Sequence, residues 1–233
     1  MHQITAILLD IEGTTTPISF VHEVLFPFSR VHLTSYLVEN SDSSAVSDDL
    51  GLLRKEYFDD LNSGNQPPPL IEQYVNWLID QDRKSAALKS LQGKIWEQGY
   101  NDGRLHSPIF ADVRPTIERW VEMGVSVNIF SSGSVLAQKL LFANTEAGDL
   151  TKFIDCYFDT GVGKKNNSES YQTIAKTLSI PAAEILFVSD VIIELNAAAE
   201  AGMRTALCLR PGNAPQELPS QHDSIHSFDE ITL

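Results

Sequence analysis

The chain is poor in cysteine, poor in basic side chains and without any long apolar run. Cys156 and Cys208 are the two cysteines in 233 residues, both set in apolar stretches. One such pair is no disulfide framework, and the expected state is two buried free thiols. Lys and Arg total 17 against 31 Asp and Glu, a formal charge of −14. No net positive field gathers phosphates along the surface, which argues against a general nucleic-acid binder. A locally positive pocket for a small anion stays open. Met1-His2-Gln3 is no basic leader, and the first apolar run stops at Asp10. Neither a secretory signal nor a bilayer span is expected, so the predicted setting is reducing and cytoplasmic, with no membrane partner. Nothing resembles a zipper, and a monomer is expected.

What is present is ordinary for a folded protein: 42% hydrophobic and 21% charged residues. A chain of this length buries about 70% of its unfolded surface. Ile4-Thr5-Ala6-Ile7-Leu8-Leu9 reads as a central strand covered on both faces. Further strands are expected at Val125 to Phe130, Phe153 to Phe158, Ile185 to Val188 and Thr205 to Leu209. Helical signals alternate with them. Ser134 is a candidate cap before Val135, Leu136, Lys139 and Leu140; Tyr171, Ile174, Ala175 and Leu178 share one face; an Ala-rich run from Val191 ends at Gly202. The alternation predicts an α/β fold with a mostly parallel sheet, and a site at the carboxyl ends of its strands.

Residues 18–108 break that rhythm. Val24 to Phe26, Val31 to Leu33, Tyr36-Leu37, Leu70 to Trp77 and Ala86 to Trp96 look helical, and Ser63 through Pro69 is a break carrying three prolines. Asp42-Ser43-Ser44 reads as a loop, and the stretch after Asn213 as a short surface tail. The expected organisation is a core of residues 1–17 and 109–233, interrupted after its first strand by an all-helical domain.

Asp10 and Glu12 follow the first strand two residues apart, so extended geometry sends both carboxylates to the same side. Such a pair suits a cation, or a nucleophile with an acid-base partner. Gly13 permits a tight turn. Ser131-Ser132-Gly133 follows the second strand and opens a helix, where hydroxyls and amides can hold a phosphate. Lys165 precedes another helix, and Asp190 ends the fourth strand with Glu194 one helical turn beyond. Singly, each has an ordinary role as cap, solvated charge or loop carboxylate.

Together, Asp10-x-Glu12-Gly13-Thr14, Ser131, a lysine before the helix near 168, and Asp190 resemble the haloacid-dehalogenase-like phosphatases. Glu12, where that superfamily normally has a second aspartate, resembles one branch, the enolase-phosphatases (acireductone synthases) of methionine salvage. Phe20-Val21 with Leu25-Phe26-Pro27, Leu91-Gln92-Gly93 with Trp96, Phe110-Ala111-Asp112-Val113, Ser131 to Phe142, Phe158-Asp159-Thr160 and Ser168 to Tyr171 extend the likeness over most of the chain.

The resemblance implies a Rossmann-like core with a five-stranded sheet in the order 3-2-1-4-5 and a helical cap that selects substrate. It implies Asp10 as nucleophile and Glu12 as acid and base, and Ser131, Ser132, Gly133 and Lys165 as phosphate ligands. Mg2+ would be held by Asp10, the Glu12 carbonyl and Asp190, with Glu194 in its outer shell. The implied substrate is a small phosphate ester, 2,3-diketo-5-methylthiopentyl 1-phosphate, enolised by Glu12 or a cap residue and then dephosphorylated. Phe20, Trp96 and Tyr100 are candidate walls for its thioether, with helix packing as the plainer account. Adjacent Lys164 leaves the lysine open on sequence; the family spacing favours Lys165. His22, His32 and His106 form no zinc set. The alternatives are another capped phosphomonoesterase, a hydrolytic dehalogenase, or a phosphate-binding module without chemistry.

Overall fold

A computed structural model describes residues 3–81, 83, 85–216 and 221–233. The chain divides into two units, Met1–Val21 with His106–Leu233, and His22–Leu105. Among the described residues no helix is long and apolar enough to cross a membrane.

The first unit is built on a sheet of six parallel strands in the order β3-β2-β1-β4-β5-β6. β1 is Ala6–Leu9, β2 Ser126–Phe130, β3 Cys156–Phe158, β4 Ile185–Ser189, β5 Arg204–Cys208 and β6 Asp223–Ile225. All four β1 residues are fully buried, which is why the strand reads as an unbroken apolar run instead of an alternating one. Ala6 and Leu8 point to one face and pack with Phe187, Tyr171, Ile174, Leu195 and Ala198. The last four of these belong to two helices, Ser168–Leu178 and Ile192–Glu200.

Five strands were expected and six are present. The sixth lies in the stretch that reads as a surface tail, because Asp223 and Ser224 are exposed and Ile225 alone is buried. Three residues with one apolar side chain carry no periodic signal; pairing with β5 makes them a strand. Further along the tail, Phe228 is fully buried with its ring 5.6 Å from that of Trp120. The third strand is shorter than expected, since Thr151–Phe153 forms a 3-10 turn before it. Cys208 is buried as expected, whereas Cys156 on the edge strand β3 is half-buried; both thiols are free.

Among its described residues the second unit holds four helices: α1 Phe26–Glu39, α2 Ser44–Asn62, α3 Ile71–Asp80 and α4 Ala86–Asn101. A π-helical turn, Phe20–Leu25, leads into α1. The longest, α2, leaves little trace in the sequence, because two of its four buried residues are acidic. Asp49 is paired with Lys94 at 2.6 Å, and Asp60 accepts from Tyr74 Oη at 2.8 Å, Asn65 at 2.9 Å and Arg83 at 3.0 Å. Ser44, read as loop, is the first residue of this helix.

Candidate active site

β1 lies between β2 and β4, with Leu9 level with Ile129 on one side and Val188 on the other. Asp10, one residue beyond, and Ser131 and Asp190, two beyond, therefore emerge at the same sheet end, where the chain's connections diverge. Asp10, Ser131, Lys165 and Asp190 are all buried, and Glu12 is half-buried.

Lys165 is the hub. Its Nζ lies 2.6 Å from Asp10 Oδ1 and 2.6 Å from Glu194 Oε2. Tyr171 Oη donates to the Lys165 carbonyl at 2.7 Å, fixing the backbone before the helix. Phe130 and Phe187 flank the ammonium at 5.7 and 6.0 Å from their ring centres. Burial acts to lower its pKa, but the Asp10 and Glu194 charges outweigh that and hold it above the usual lysine value. Lys164 is exposed, so the structure separates the two neighbours. Glu194, expected in an outer metal shell, is a direct partner of Lys165 and accepts from Ser189 Oγ at 3.1 Å.

Ser131 N donates to the Phe158 carbonyl at 3.1 Å, and the Gly133 amide folds back on Ser131 Oγ at 3.3 Å. Gln138 braces this turn through the Gly133 and Phe158 carbonyls at 2.8 and 2.9 Å. Ser134 caps the helix Val135–Ala143 by accepting from Ala137 N. Ser132 is exposed beside this turn.

Gly13 has φ +72°, in the left-handed region that favours glycine, and its amide donates to Thr16 O at 2.8 Å. A Cβ there would lie 2.5 Å from Asp190 Oδ2 and 2.9 Å from Asn213 Oδ1. The two carbonyls after Glu12 are both held from the loop beyond β5. Asn213 Nδ2 donates to Gly13 O at 2.9 Å, and Arg210 Nε to Thr14 O at 3.1 Å. Arg210 in turn grips Asp112 with two parallel bonds of 2.9 and 2.8 Å. The sequence marks Asp112 only as part of a family likeness; no local pattern marks Arg210 or Asn213 as supports of the turn after Glu12.

The magnesium ion implied by the resemblance needs hard oxygen ligands, few of them charged, with waters completing its shell. Among the described residues no cluster of three or more His, Cys, Asp or Glu side chains forms a metal site. A Mg2+ site built from two carboxylates and a backbone carbonyl does not need one. Burial, and next the Asp10 charge, push the Asp190 carboxyl up to about 7, and the same two causes raise Glu194. Three mutually repelling carboxylates thus face one ammonium, an excess a divalent cation relieves. Close to the Gly13–Asp190 contact, Asn213 Oδ1 is buried with no hydrogen-bond partner among the described residues. The donor set fits the ion.

Phe20 lies in the first unit, Trp96 and Tyr100 in the second, and all three are buried. The Trp96 indole donates to the Leu25 carbonyl at 2.8 Å, and its ring lies 6.3 Å from that of Phe26. His32 is occupied with Phe28, through a 2.8 Å contact to its carbonyl and a stacked ring.

The sequence profile of haloacid dehalogenase-like hydrolases matches residues 4–202. An enolase-phosphatase of Synechococcus elongatus is 49% identical over 233 residues, covering 98% of each chain. A protein of Arabidopsis thaliana named as a probable bifunctional methylthioribulose-1-phosphate dehydratase/enolase-phosphatase is 43% identical, over 97% of this chain and 47% of its own length. The crystal structure of the UTR4 protein of Saccharomyces cerevisiae superposes with a TM-score of 0.82 at 36% identity, covering 98% of this chain and all of that one. Profile, near-full-length identity and superposition agree with the acidic pair after β1, and the chain belongs to the enolase-phosphatase family of haloacid dehalogenase-like hydrolases.

Proposed function

We propose that this chain is a magnesium-dependent enolase-phosphatase acting on 2,3-diketo-5-methylthiopentyl 1-phosphate in methionine salvage, with Asp10 as nucleophile. The observation that carries the reading is the Lys165 ammonium held 2.6 Å from Asp10 among buried carboxylates at the strand ends. A buried cation beside a buried carboxylate fixes the direction of that carboxylate by a short charge-assisted bond. The Arabidopsis relative supports the substrate. Its name joins this activity to a dehydratase of methylthioribulose 1-phosphate, and loss of water from that ketose phosphate yields the 2,3-diketone.

In the reaction so read, enolisation moves a proton from C1 of the diketo phosphate to the C2 oxygen. An Asp10 carboxylate oxygen then attacks phosphorus, the phosphorus–oxygen ester bond breaks, and Glu12 protonates the departing oxygen. The acireductone leaves and a phosphoaspartate remains. Glu12, now a carboxylate, takes a proton from a water whose oxygen attacks phosphorus; the bond to Asp10 breaks and inorganic phosphate is released. Lys165 and the Ser131 turn neutralise and orient the phosphoryl oxygens throughout. Asp10, Asp190 and the Glu12 carbonyl would hold the Mg2+ ion, which would supply positive charge to the phosphoryl group.

The test follows enol absorbance and released phosphate separately on the diketo phosphate, with Mg2+ and with chelator. Mg2+-dependent enol formation followed by stoichiometric phosphate release is expected, and Asp10→Asn is expected to stop the release. Phosphate release from other esters with none from this one overturns the substrate. Undiminished release by pure Asp10→Asn overturns the covalent route.

A further inference from the structure

The loop after β5 puts one polar atom where the chemistry described so far has no use for it. Asn213 Nδ2 faces two carbonyls, Gly13 O at 2.9 Å and Cys208 O at 3.5 Å. An amide oxygen cannot take that place, because it would meet two other acceptors. The side-chain orientation is therefore fixed, and Oδ1 must point the other way. It is buried there and has no hydrogen-bond partner among the described residues. Its position is equally constrained: Oδ1 and Asp190 Oδ2 lie 2.9 and 2.5 Å from the same point, the Cβ that Gly13 lacks. Two acceptors brought this close to one another call for a donor near both.

The loop is held for this geometry. Asn213 N closes a turn onto the Arg210 carbonyl at 3.2 Å, Arg210 is clamped by Asp112, and Gln216 Nε2 donates to the Asp190 carbonyl at 3.3 Å. The loop thus touches both Gly13 and Asp190.

We propose that Asn213 is a positioning residue for the metal: its Oδ1 accepts a hydrogen bond from a water bound to the divalent cation beside Asp190, while its Nδ2 anchors the Gly13 carbonyl. This rests on the reading that Asp10 and Asp190 hold such a cation. A water on a divalent cation is a strong donor, and it meets an acceptor whose direction two carbonyls have already set. The same water is oriented by Asn213 and Asp190 together.

The test is calorimetric titration of Mg2+ into the substrate-free full chain, with thermal unfolding in chelator as the folding control. Asn213→Leu, which keeps the size and removes the acceptor, is expected to weaken Mg2+ binding about 10- to 100-fold. The Mg2+ concentration that gives half-maximal phosphate release should rise by a similar factor. Asn213→Asp keeps an acceptor for the water but sets its second oxygen against Gly13 O, and is expected to weaken Mg2+ binding less than Asn213→Leu does. Unchanged affinity in Asn213→Leu overturns the proposal and leaves the metal reading intact. Equal weakening in Asn213→Asp and Asn213→Leu also overturns it, since the tie to Gly13 then carries the whole effect. If Asn213→Leu does not fold, Asn213→Ala takes its place with the same expectations. Absence of Mg2+ binding by the parent overturns the metal reading itself and the proposal with it.

Discussion

Lys165 and Glu194 meet as a buried ion pair at 2.6 Å, and the same ammonium lies 2.6 Å from Asp10. One cation thus orders two carboxylates that come from opposite ends of the chain. Lys165→Met is expected to lower kcat/KM for phosphate release about 100- to 1,000-fold, the scale of losing one preorganised charge-stabilising donor. Lys164→Met, at an exposed neighbour whose carbonyl alone is used by Ser170, should leave the rate essentially unchanged. Parallel steady-state assays of the two variants decide the assignment. Equal losses would sink it.

Gly13 admits no side chain. Its φ of +72° disfavours one, and a Cβ would sit 2.5 Å from Asp190 Oδ2. Gly13→Ala must push Asp190 aside, so the expected outcome is a folded protein with sharply weakened Mg2+ binding and little phosphatase activity. Calorimetry beside circular dichroism checks this; tight Mg2+ binding by the variant would contradict the close approach.

Asp190 gives the metal-free protein a characteristic pH response. Its folded pKa of about 7 lies above the ordinary aspartate value of 3.8, raised first by burial and then by Asp10. In that window the folded chain holds a proton that the unfolded chain releases. The stability linked to this proton is complete below the unfolded value and is lost as pH rises through about 7. Asp190→Asn removes the loss, so the Tm of the variant relative to the parent, in chelator, should climb as pH is raised from about 5 to about 8. A constant difference across that range would refute the shifted carboxyl. Mg2+ binding must displace the same proton, and should tighten over the same interval.

Arg210, buried, and Asp112, half-buried, form a bidentate pair, and Arg210 is flanked by Phe110 and Phe228 at 4.5 and 4.8 Å. Burial raises the Asp112 pKa, but the Arg210 hydrogen bonds outweigh it and hold the carboxyl below the usual range. Arg210→Met leaves the carboxylate buried without its partner and is expected to cost about 3–5 kcal/mol. For a chain of this size that is a Tm loss on the order of 10 °C. Arg210→Lys should recover little, since an ammonium cannot reproduce the two parallel bonds together with the contact to Thr14 O. Denaturant titration of the two variants measures both.

The strand ends that carry Asp10, Ser131 and Asp190 were legible before any coordinates, because a doubly covered strand is an apolar run and its polar stop is local. The cap at Ser134 and the face shared by Tyr171, Ile174 and Ala175 are local in the same sense. Helix α2 was not legible: its buried Asp49 and Asp60 count as surface residues until Lys94 and Arg83 are brought against them. Nor was the sixth strand, whose three residues acquire their conformation by pairing with β5.

Sequence alone therefore determined the alternation of strands and helices, the residues closing each strand, and the family those residues resemble. Such signals are summed over ten residues or so along one chain segment. Tertiary structure alone decided that Lys165 reaches both Asp10 and Glu194, that Lys164 does not compete, and that Arg210 and Asn213 hold the carbonyls of Thr14 and Gly13. Those contacts join residues far apart in the chain. Their physical cause is the sheet order, which sets β4 directly beside β1 with β5 next to it, and so brings the loops at their ends to one place.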